Sequence, residues 1–91
     1  MDFTVYILFS SIHQKIYIGQ TSNLIQRFIS HNELGNDWTK RFRPWNVIYT
    51  EIYSERSQAL KREKELKGGK GRKWIWEKIK NEYPTAGFIS A

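Results

Sequence analysis

The sequence contains no cysteine among its 91 residues. Disulfides and thiolate metal sites are therefore excluded, and the reducing cytoplasm is the expected location. No apolar run approaches the ~20 residues that a membrane-spanning helix needs. The first residues lack the basic segment of a signal peptide and alternate like a strand. Internal repeats and low-complexity tracts are also missing, so we expect one small domain.

Acidic residues are scarce relative to basic ones, 9 against 15, and the net charge is +6. Such a basic surface indicates a polyanionic partner, nucleic acid first and an anionic membrane second. The cations crowd two segments, and interleaved aromatic residues suit them to contact a nucleic-acid backbone. The expected phosphate-contacting residues are Lys40, Arg41, Arg43, Lys67, Lys70, Arg72 and Lys73.

Hydrophobic periodicity predicts six elements in the order β-β-α-β-α-α. The predicted strands are 3–9, 15–19 and 45–52, and the predicted helices are 24–32, 57–67 and 72–83. Residues 34–44 are expected to form a polar connection, and Ser54 to cap the second helix. This order is typical of an α+β domain, with a small three-stranded antiparallel sheet flanked by helices. We expect the domain to span residues 1–83, followed by a C-terminal tail, 84–91.

The first two strands are predicted to form a hairpin. If a four-residue loop pairs Phe9 with Gln14, Tyr6 faces Tyr17 directly, with Cβ atoms ~5 Å apart. Gly19 lies two residues beyond Tyr17 on the same face, where the missing side chain would let another group approach closely. On spacing alone, a tyrosine pair that only stabilises the hairpin is a commoner outcome than a catalytic pair.

A glutamate lies on the apolar face of helix 57–67. Ala59, Leu60 and Leu66 share that face at 3.6 residues per turn, and Glu63 falls in its middle. A carboxylate in such a position is costly unless it is paired or binds a cation. Glu63 is therefore a candidate site residue.

Arg27 and His31 are four residues apart and hence neighbours on the first helix. They lie off its apolar stripe, which consists of Leu24, Ile25, Phe28 and Ile29. Arginine binds phosphate through a fixed fork of donors, and histidine transfers protons near neutral pH, so the pair suits a phosphate site. The alternative is that both side chains are simply solvated.

The ordered set Tyr6, Tyr17-Ile18-Gly19, Arg27, His31 and Glu63 resembles the GIY-YIG endonuclease superfamily. The resemblance covers roughly Thr4 to Lys80 and looks like the small stand-alone bacterial branch, related to the nuclease domain of the excision-repair endonuclease. The second motif is complete here. The first keeps only its tyrosine, with Thr4 in place of the glycine, and Gln20 stands where some members have a lysine.

The resemblance implies a metal-dependent endonuclease that hydrolyses DNA phosphodiester bonds, structure-selective and linked to repair or recombination. Glu63 would hold one Mg²⁺, with Mn²⁺ as a substitute. Arg27 would stabilise the phosphorane's charge, and His31 would assist proton transfer or bind the phosphate. One tyrosine, Tyr6 or the favoured Tyr17, would be the general base for the attacking water. Gly19 would leave room for the scissile phosphate.

Two other interpretations stay open. The chain could be a nucleic-acid-binding module on the same fold with weak or lost catalysis. It could also be a structural domain in which Glu63 pairs with a buried arginine or lysine. The nuclease interpretation accounts for Glu63, the tyrosines and the basic surface together. It makes DNA the expected partner, leaves RNA open, and indicates neither a membrane nor a protein partner.

Overall fold

The computed structural model of the chain describes residues 1–34 and 37–82, and it contains a three-stranded antiparallel sheet flanked by helices. The strands are β1 (Phe3–Ser10), β2 (Lys15–Thr21) and β3 (Asn46–Tyr53), in the order β2-β1-β3. The helices are α1 (Leu24–Ile29), α2 (Asp37–Arg41), α3 (Arg56–Lys67) and α4 (Gly69–Glu82), and a π-helical turn, Ser30–Leu34, follows α1. The predicted α+β class is confirmed. In the described ranges, every helix is too short or too polar to cross a membrane.

The central strand β1 is covered on both faces. Val5, Ile7 and Phe9 belong to a cluster that α3 and α4 complete, whereas Tyr6 and Leu8 point the other way. That second face carries a smaller cluster of Tyr6, Leu8 and Trp45. The predicted alternation of β1 is therefore correct, and it gives the sheet two separate hydrophobic cores.

The predicted register of the hairpin is wrong by two residues. Tyr6 pairs with Gly19, and Tyr17 pairs with Leu8. The four-residue loop begins one residue later than expected, because Gln14 adopts a positive φ of 55° and ends the turn before the last pair, Ser10–Lys15. A shift of two keeps every side chain on its predicted face, so both tyrosines still share one face.

The first helix is shorter than predicted and differently oriented. Asn23 caps α1 by accepting a hydrogen bond from the backbone N–H of Gln26 at 3.1 Å, which fits the expected helix start. Beyond residue 29 the chain widens into the π-helical turn. Ile25 is 75% exposed and Ile29 is also exposed, so only part of the predicted stripe, Leu24 and Phe28, packs on the second cluster.

The connection before β3 contains a short helix, α2, where a polar linker was predicted. The buried side chain of Trp45 holds α2 in position. The indole Nε1 of Trp45 donates to the carbonyl of Thr39 at 2.9 Å, and both residues are buried. The amide of Asn32 also brackets Trp45, accepting from its N–H at 2.6 Å and donating to its carbonyl at 3.1 Å. These non-local contacts leave no periodic signal in the sequence.

Helix α3 starts at Arg56 and ends at Lys67, within one residue of the prediction. Its N-cap is Glu55, which makes no side-chain capping hydrogen bond, so the predicted cap at Ser54 is wrong. The apolar face is narrower than expected: Ala59 and Leu66 are buried, but Leu60 is 47% exposed. Helix α3 packs on β1 and β2, and its Ala59 and Leu66 belong to the first core cluster.

The corner between α3 and α4 is tighter than predicted. Gly68 alone separates the two helices, and Gly69 and Gly71 already belong to α4. A Cβ on Gly71 would lie 2.5 Å from both Cα and the carbonyl oxygen of Leu66, so the close approach of the helices requires glycine there. Ile75 and Ile79 then face the first core cluster. The predicted tail, 84–91, lies outside the described residues.

Candidate active site

Tyr6 is the centre of the candidate site. It lies on the central strand, is 1% exposed, and its Oη is joined to Nε2 of His31 by a 3.0 Å hydrogen bond. Its ring stacks on that of Tyr17, with 6.2 Å between centroids and 23° between planes. The two phenols therefore lie together as predicted, but as diagonal rather than directly opposed neighbours.

Gly19 provides the space that Tyr6 occupies. A Cβ on Gly19 would lie 2.6 Å from Oη and 2.8 Å from Cζ of Tyr6, and 3.1 Å from Cε1 of Tyr17. Any larger residue would push the phenol away. The expected close approach at Gly19 is thus made by a residue of the chain itself, while contact with a scissile phosphate stays a prediction.

His31 is buried, so the alternative in which its side chain is solvated is wrong. It is 3% exposed, and its ring lies 4.4 Å from that of Tyr17 between centroids. Burial lowers the pKa of His31, and the positive charge of Arg27 lowers it further. The imidazole is therefore kept neutral at physiological pH, able both to donate and to accept a hydrogen bond.

Arg27 lies at the exposed edge of the same group. Hydrogen bonding with Tyr6 raises the pKa of Arg27, which stays charged. Burial raises the pKa of Tyr6 to about 12, although the Arg27 guanidinium acts in the opposite direction. The spacing of four residues thus brings Arg27 and His31 to the same phenol, one at its solvent side and one in the interior.

Glu63, on α3, acts on this group through its charge. Its negative charge raises the pKa of Tyr6, which marks it as an electrostatic neighbour of the phenol. Its Oε2 accepts a 2.6 Å hydrogen bond from Nζ of Lys67. Since Lys67 is exposed, the alternative in which Glu63 pairs with a buried cation is wrong. Of the other four predicted catalytic residues, Tyr17, Arg27 and His31 contact Tyr6, and Glu63 acts on it through its charge.

The carboxylate of Glu63 can supply only part of the ligand shell of a divalent cation. Within residues 1–34 and 37–82, no three acidic or histidine side chains come together as a metal site. Mg²⁺ is commonly held by one or two carboxylates, with water and substrate phosphates completing its octahedron. The residues present therefore fit a Mg²⁺ that shares its shell with a bound phosphate, and do not fit a closed protein cage.

A groove of about 460 Å³ runs along β2, the strand at one edge of the sheet, and reaches Tyr17. Its lining combines three cations with apolar and amide groups, namely Gln14, Lys15, Ile16, Tyr17, Ile18, Lys67, Arg72 and Trp76. Nε of Arg72 donates to the carbonyl of Lys67 at 3.2 Å, which ties the two cationic segments of the groove together. An anionic strand is the ligand that such a lining favours.

The other residues predicted to contact phosphate differ in their surroundings: four are exposed, and one is bonded within the protein. Lys70 and Lys73 are exposed on α4, and Lys40 and Arg41 are exposed on α2. Arg43 has a structural partner: it donates from a terminal guanidinium nitrogen to the carbonyl of Asn32 at 2.7 Å. Whether these residues contact nucleic acid stays a prediction.

Sequence reasoning missed two features of the site. Lys15 lines the groove, but it is an isolated lysine outside the charge clusters. The pairing of Glu63 with Lys67 was also missed, although their spacing of four residues on one helix is a recognisable signal.

A family model described as the GIY-YIG catalytic domain matches residues 2–80. A UPF0213 protein of Staphylococcus haemolyticus is 40% identical over 53 residues, or 57% of this chain and 65% of the relative. A UPF0213 protein of Staphylococcus epidermidis is 42% identical over a stretch of the same length and coverage. The alignment thus spans less than two thirds of each of these relatives.

The solution NMR structure of a UPF0213 protein from Bacillus halodurans has a related fold. Its TM-score is 0.54, and the match covers 91% of this chain and 90% of that one. At 22% sequence identity this likeness bears on the fold alone. It supports the arrangement of the sheet and helices described above.

Proposed function

This chain belongs to the GIY-YIG family of nucleases, and from that premise we propose that it is a metal-dependent endonuclease that hydrolyses phosphodiester bonds in DNA. The observation that carries the proposal is the convergence of His31, Arg27 and Tyr17 on Tyr6, with the negative charge of Glu63 acting on the same phenol. These residues come from two strands, α1, the turn after it and α3. Their types match a phosphate site with a proton acceptor and a metal ligand.

Tyr17 is the better candidate for the general base. Tyr6 is buried, its oxygen is bonded to His31, and its pKa of about 12 makes its phenolate costly to form. Tyr17 is only half-buried and lines the cationic groove, where an attacking water has access. With Tyr17 as its phenolate, water would attack phosphorus and pass a proton to the Tyr17 oxygen, while the bond from phosphorus to the 3′-oxygen breaks and that oxygen takes a proton from solvent.

Tyr6, His31 and Arg27 would then have supporting roles. Tyr6 orients the ring of Tyr17 by stacking on it, and His31 packs against both rings. Arg27 places a permanent positive charge at the exposed side of the phenols, where the pentavalent phosphate gains negative charge. Removing such a donor typically costs ~10²–10³ in rate.

Glu63 would hold the Mg²⁺, with Mn²⁺ as a substitute. When bound, the ion would offset the negative charge on the phosphate and the departing oxygen. Glu63 supplies one anionic ligand at the edge of the site and leaves the remaining positions to water and substrate. This shared shell makes metal binding tighter when nucleic acid is bound, while Glu63 alone gives a weak site.

The groove along β2 supports a strand of nucleic acid as the substrate. Lys15, Lys67 and Arg72 can contact successive phosphates beside Tyr17. We assign DNA as the substrate from the family, and a structure-selective role in repair or recombination belongs to the same proposal. So does a cytoplasmic location, which the absence of cysteine favours.

A nucleic-acid-binding module with weak catalysis is the second candidate. One observation favours it: the carboxylate of Glu63 is already neutralised by Lys67 at 2.6 Å. On this account, the groove binds phosphates but Glu63 binds no metal. The two candidates differ in whether the bound nucleic acid is cut.

The experiment that separates them is a cleavage panel with the purified protein. The substrates are supercoiled plasmid, flaps, four-way junctions, single-stranded DNA and RNA, each with Mg²⁺, Mn²⁺ or EDTA. We expect cutting of DNA with either metal and none with EDTA. Binding to the panel without cutting at high enzyme excess would instead establish the binding module.

A further inference from the structure

Lys67 contacts the proposed metal ligand from the solvent side. Its Nζ lies 2.6 Å from Oε2 of Glu63, one helical turn earlier on α3. The Glu63 side chain is 19% exposed and that of Lys67 is 49% exposed. The ammonium group therefore covers the outer side of a carboxylate that is largely buried.

The same lysine lines the groove beside Tyr17. Its backbone carbonyl accepts a hydrogen bond from Nε of Arg72, which fixes the position of the residue at the end of α3. Beyond that fixed point, four flexible methylene groups carry the charge. The ammonium can thus reach two anions, the carboxylate of Glu63 or a phosphate in the groove.

We propose that Lys67 is an internal counter-ion, which occupies Glu63 in the resting protein and turns to a substrate phosphate when a divalent cation binds. The inference rests on the proposed function, because it takes Glu63 as the metal ligand. An ammonium and a divalent cation repel each other and compete for the same carboxylate. A strand in the groove offers the lysine a new partner, so metal and nucleic acid strengthen each other's binding.

The ion pair has a clear consequence in the protein without nucleic acid. Removal of the ammonium should free Glu63, so that Lys67→Met binds Mn²⁺ more tightly than the wild type, by roughly two- to fivefold for an ion pair of this kind. Lys64→Met is the matched control, since Lys64 is exposed on the same helix and forms no ion pair in the described part of the chain. Lys67→Arg keeps the charge and should behave like the wild type.

The measurement is an NMR titration in which Mn²⁺ broadens the backbone amide signals around residue 63, with Glu63→Gln to identify the site. A second arm measures binding of duplex DNA as a function of salt in Ca²⁺, a divalent cation that also takes carboxylate and phosphate oxygens. Here Lys67→Met should bind more weakly and lower the salt slope by about one, because one phosphate contact is lost.

The outcomes distinguish this proposal from the proposed function. Tighter Mn²⁺ binding by Lys67→Met alone, together with its weaker DNA binding, supports the counter-ion. If Mn²⁺ broadens the signals around Glu63 equally in the wild type, Lys67→Met and Lys64→Met, the counter-ion is wrong but the metal ligand stands. If no protein of the set, Lys67→Met included, shows broadening that depends on Glu63, both assignments fail. Unchanged DNA binding by Lys67→Met also overturns the counter-ion.

Discussion

The two tyrosines of the hairpin differ in what surrounds their oxygens. Tyr6 is buried with its oxygen on His31, whereas Tyr17 is partly exposed beside three cations. These surroundings are the reason why Tyr17 and not Tyr6 is proposed as the general base, although both belong to the same motif pair.

Substitution of each phenol by phenylalanine tests this division. Tyr17→Phe should lower the single-turnover cleavage rate by ~10²–10⁴-fold with little loss of stability, because it removes the proton acceptor. Tyr6→Phe should instead lower the free energy of unfolding by about 1–3 kcal/mol, since it leaves the buried Nε2 of His31 unpaired. Rates and urea denaturation curves measure the two effects. A larger rate loss in Tyr6→Phe would reverse the assignment.

His31 makes stability depend on pH in a defined direction. Its pKa is lowered in the folded protein by burial and by Arg27, whereas unfolded histidine titrates near ~6.5. Below that pH the unfolded chain binds more protons than the folded one, so the free energy of unfolding should fall as the pH drops from ~6.5 through the folded pKa.

The measurement is urea denaturation of the wild type and His31→Gln between pH 7.5 and 5. The variant should lose this part of the pH dependence while being less stable overall. The only other histidine, His13, gives the control, because His13→Gln keeps the contribution of His31. An identical slope in wild type and His31→Gln would contradict the account.

At the scale of elements, the α3–α4 corner determines where Glu63 and the groove cations lie. Gly71→Ala should destabilise the protein by about 1–3 kcal/mol, since its Cβ would meet the backbone of Leu66. Gly69→Ala is the matched control: a Cβ there has no neighbour within 4 Å, and the change should stabilise by up to about 1 kcal/mol. Equal effects on the urea midpoint would show that the corner is not so tightly packed.

The opposite edge of the sheet is held to α3 by Glu51 on β3. Its carboxylate accepts hydrogen bonds from Tyr49, from Tyr53 at 2.5 Å and from Arg62 Nε at 3.0 Å. Burial acts to raise the pKa of Glu51, but the hydrogen bonds from Arg62 and the tyrosines outweigh it and lower the pKa. The stability from this group is therefore present above the unfolded pKa and is lost as the pH falls through the folded value.

Glu51→Gln should lower the free energy of unfolding by about 1–3 kcal/mol, because a neutral amide cannot satisfy three donors. Glu65→Gln removes the other, weaker partner of Arg62, which lies 3.7 Å away, and should change stability by less than about 0.5 kcal/mol. Chemical denaturation of both variants measures the difference. If both substitutions lower the free energy of unfolding by a similar amount, Glu51 does not hold β3 to α3.

The sequence predictions for the elements were correct where a feature depends on the local residue pattern. They failed where it depends on a turn conformation or on residues far apart in the chain. The two faces of β1 and β2 were predictable because the side chains of a strand alternate between its faces with a period of two residues. The register was not, since it depends on the positive φ of Gln14. The burial of His31 was hidden because the turn after α1 is π-helical and is held by Asn32 and Trp45, which are 13 residues apart.

At the scale of the whole molecule, the net charge of +6 and the cationic groove at the edge of the sheet both indicate an anionic partner. The charge indicated a nucleic-acid partner from sequence alone, but not where the strand would lie. The groove depends on how the α3–α4 corner meets β2, and it includes Lys15, which no charge cluster marked. The motif order also predicted residues that lie together at Tyr6, and their catalytic role stays a prediction.

The central claim is that this site cuts DNA through Glu63 and a divalent ion. The most direct measurement is nicking of supercoiled plasmid in Mg²⁺ by the wild type, Glu63→Gln and the control Glu65→Gln, with DNA affinity measured in parallel. The account predicts nicking by the wild type and Glu65→Gln, at least ~10²-fold slower nicking by Glu63→Gln, and DNA affinity that is not weakened in that variant. Nicking by Glu63→Gln at the wild-type rate, or in EDTA, would contradict it.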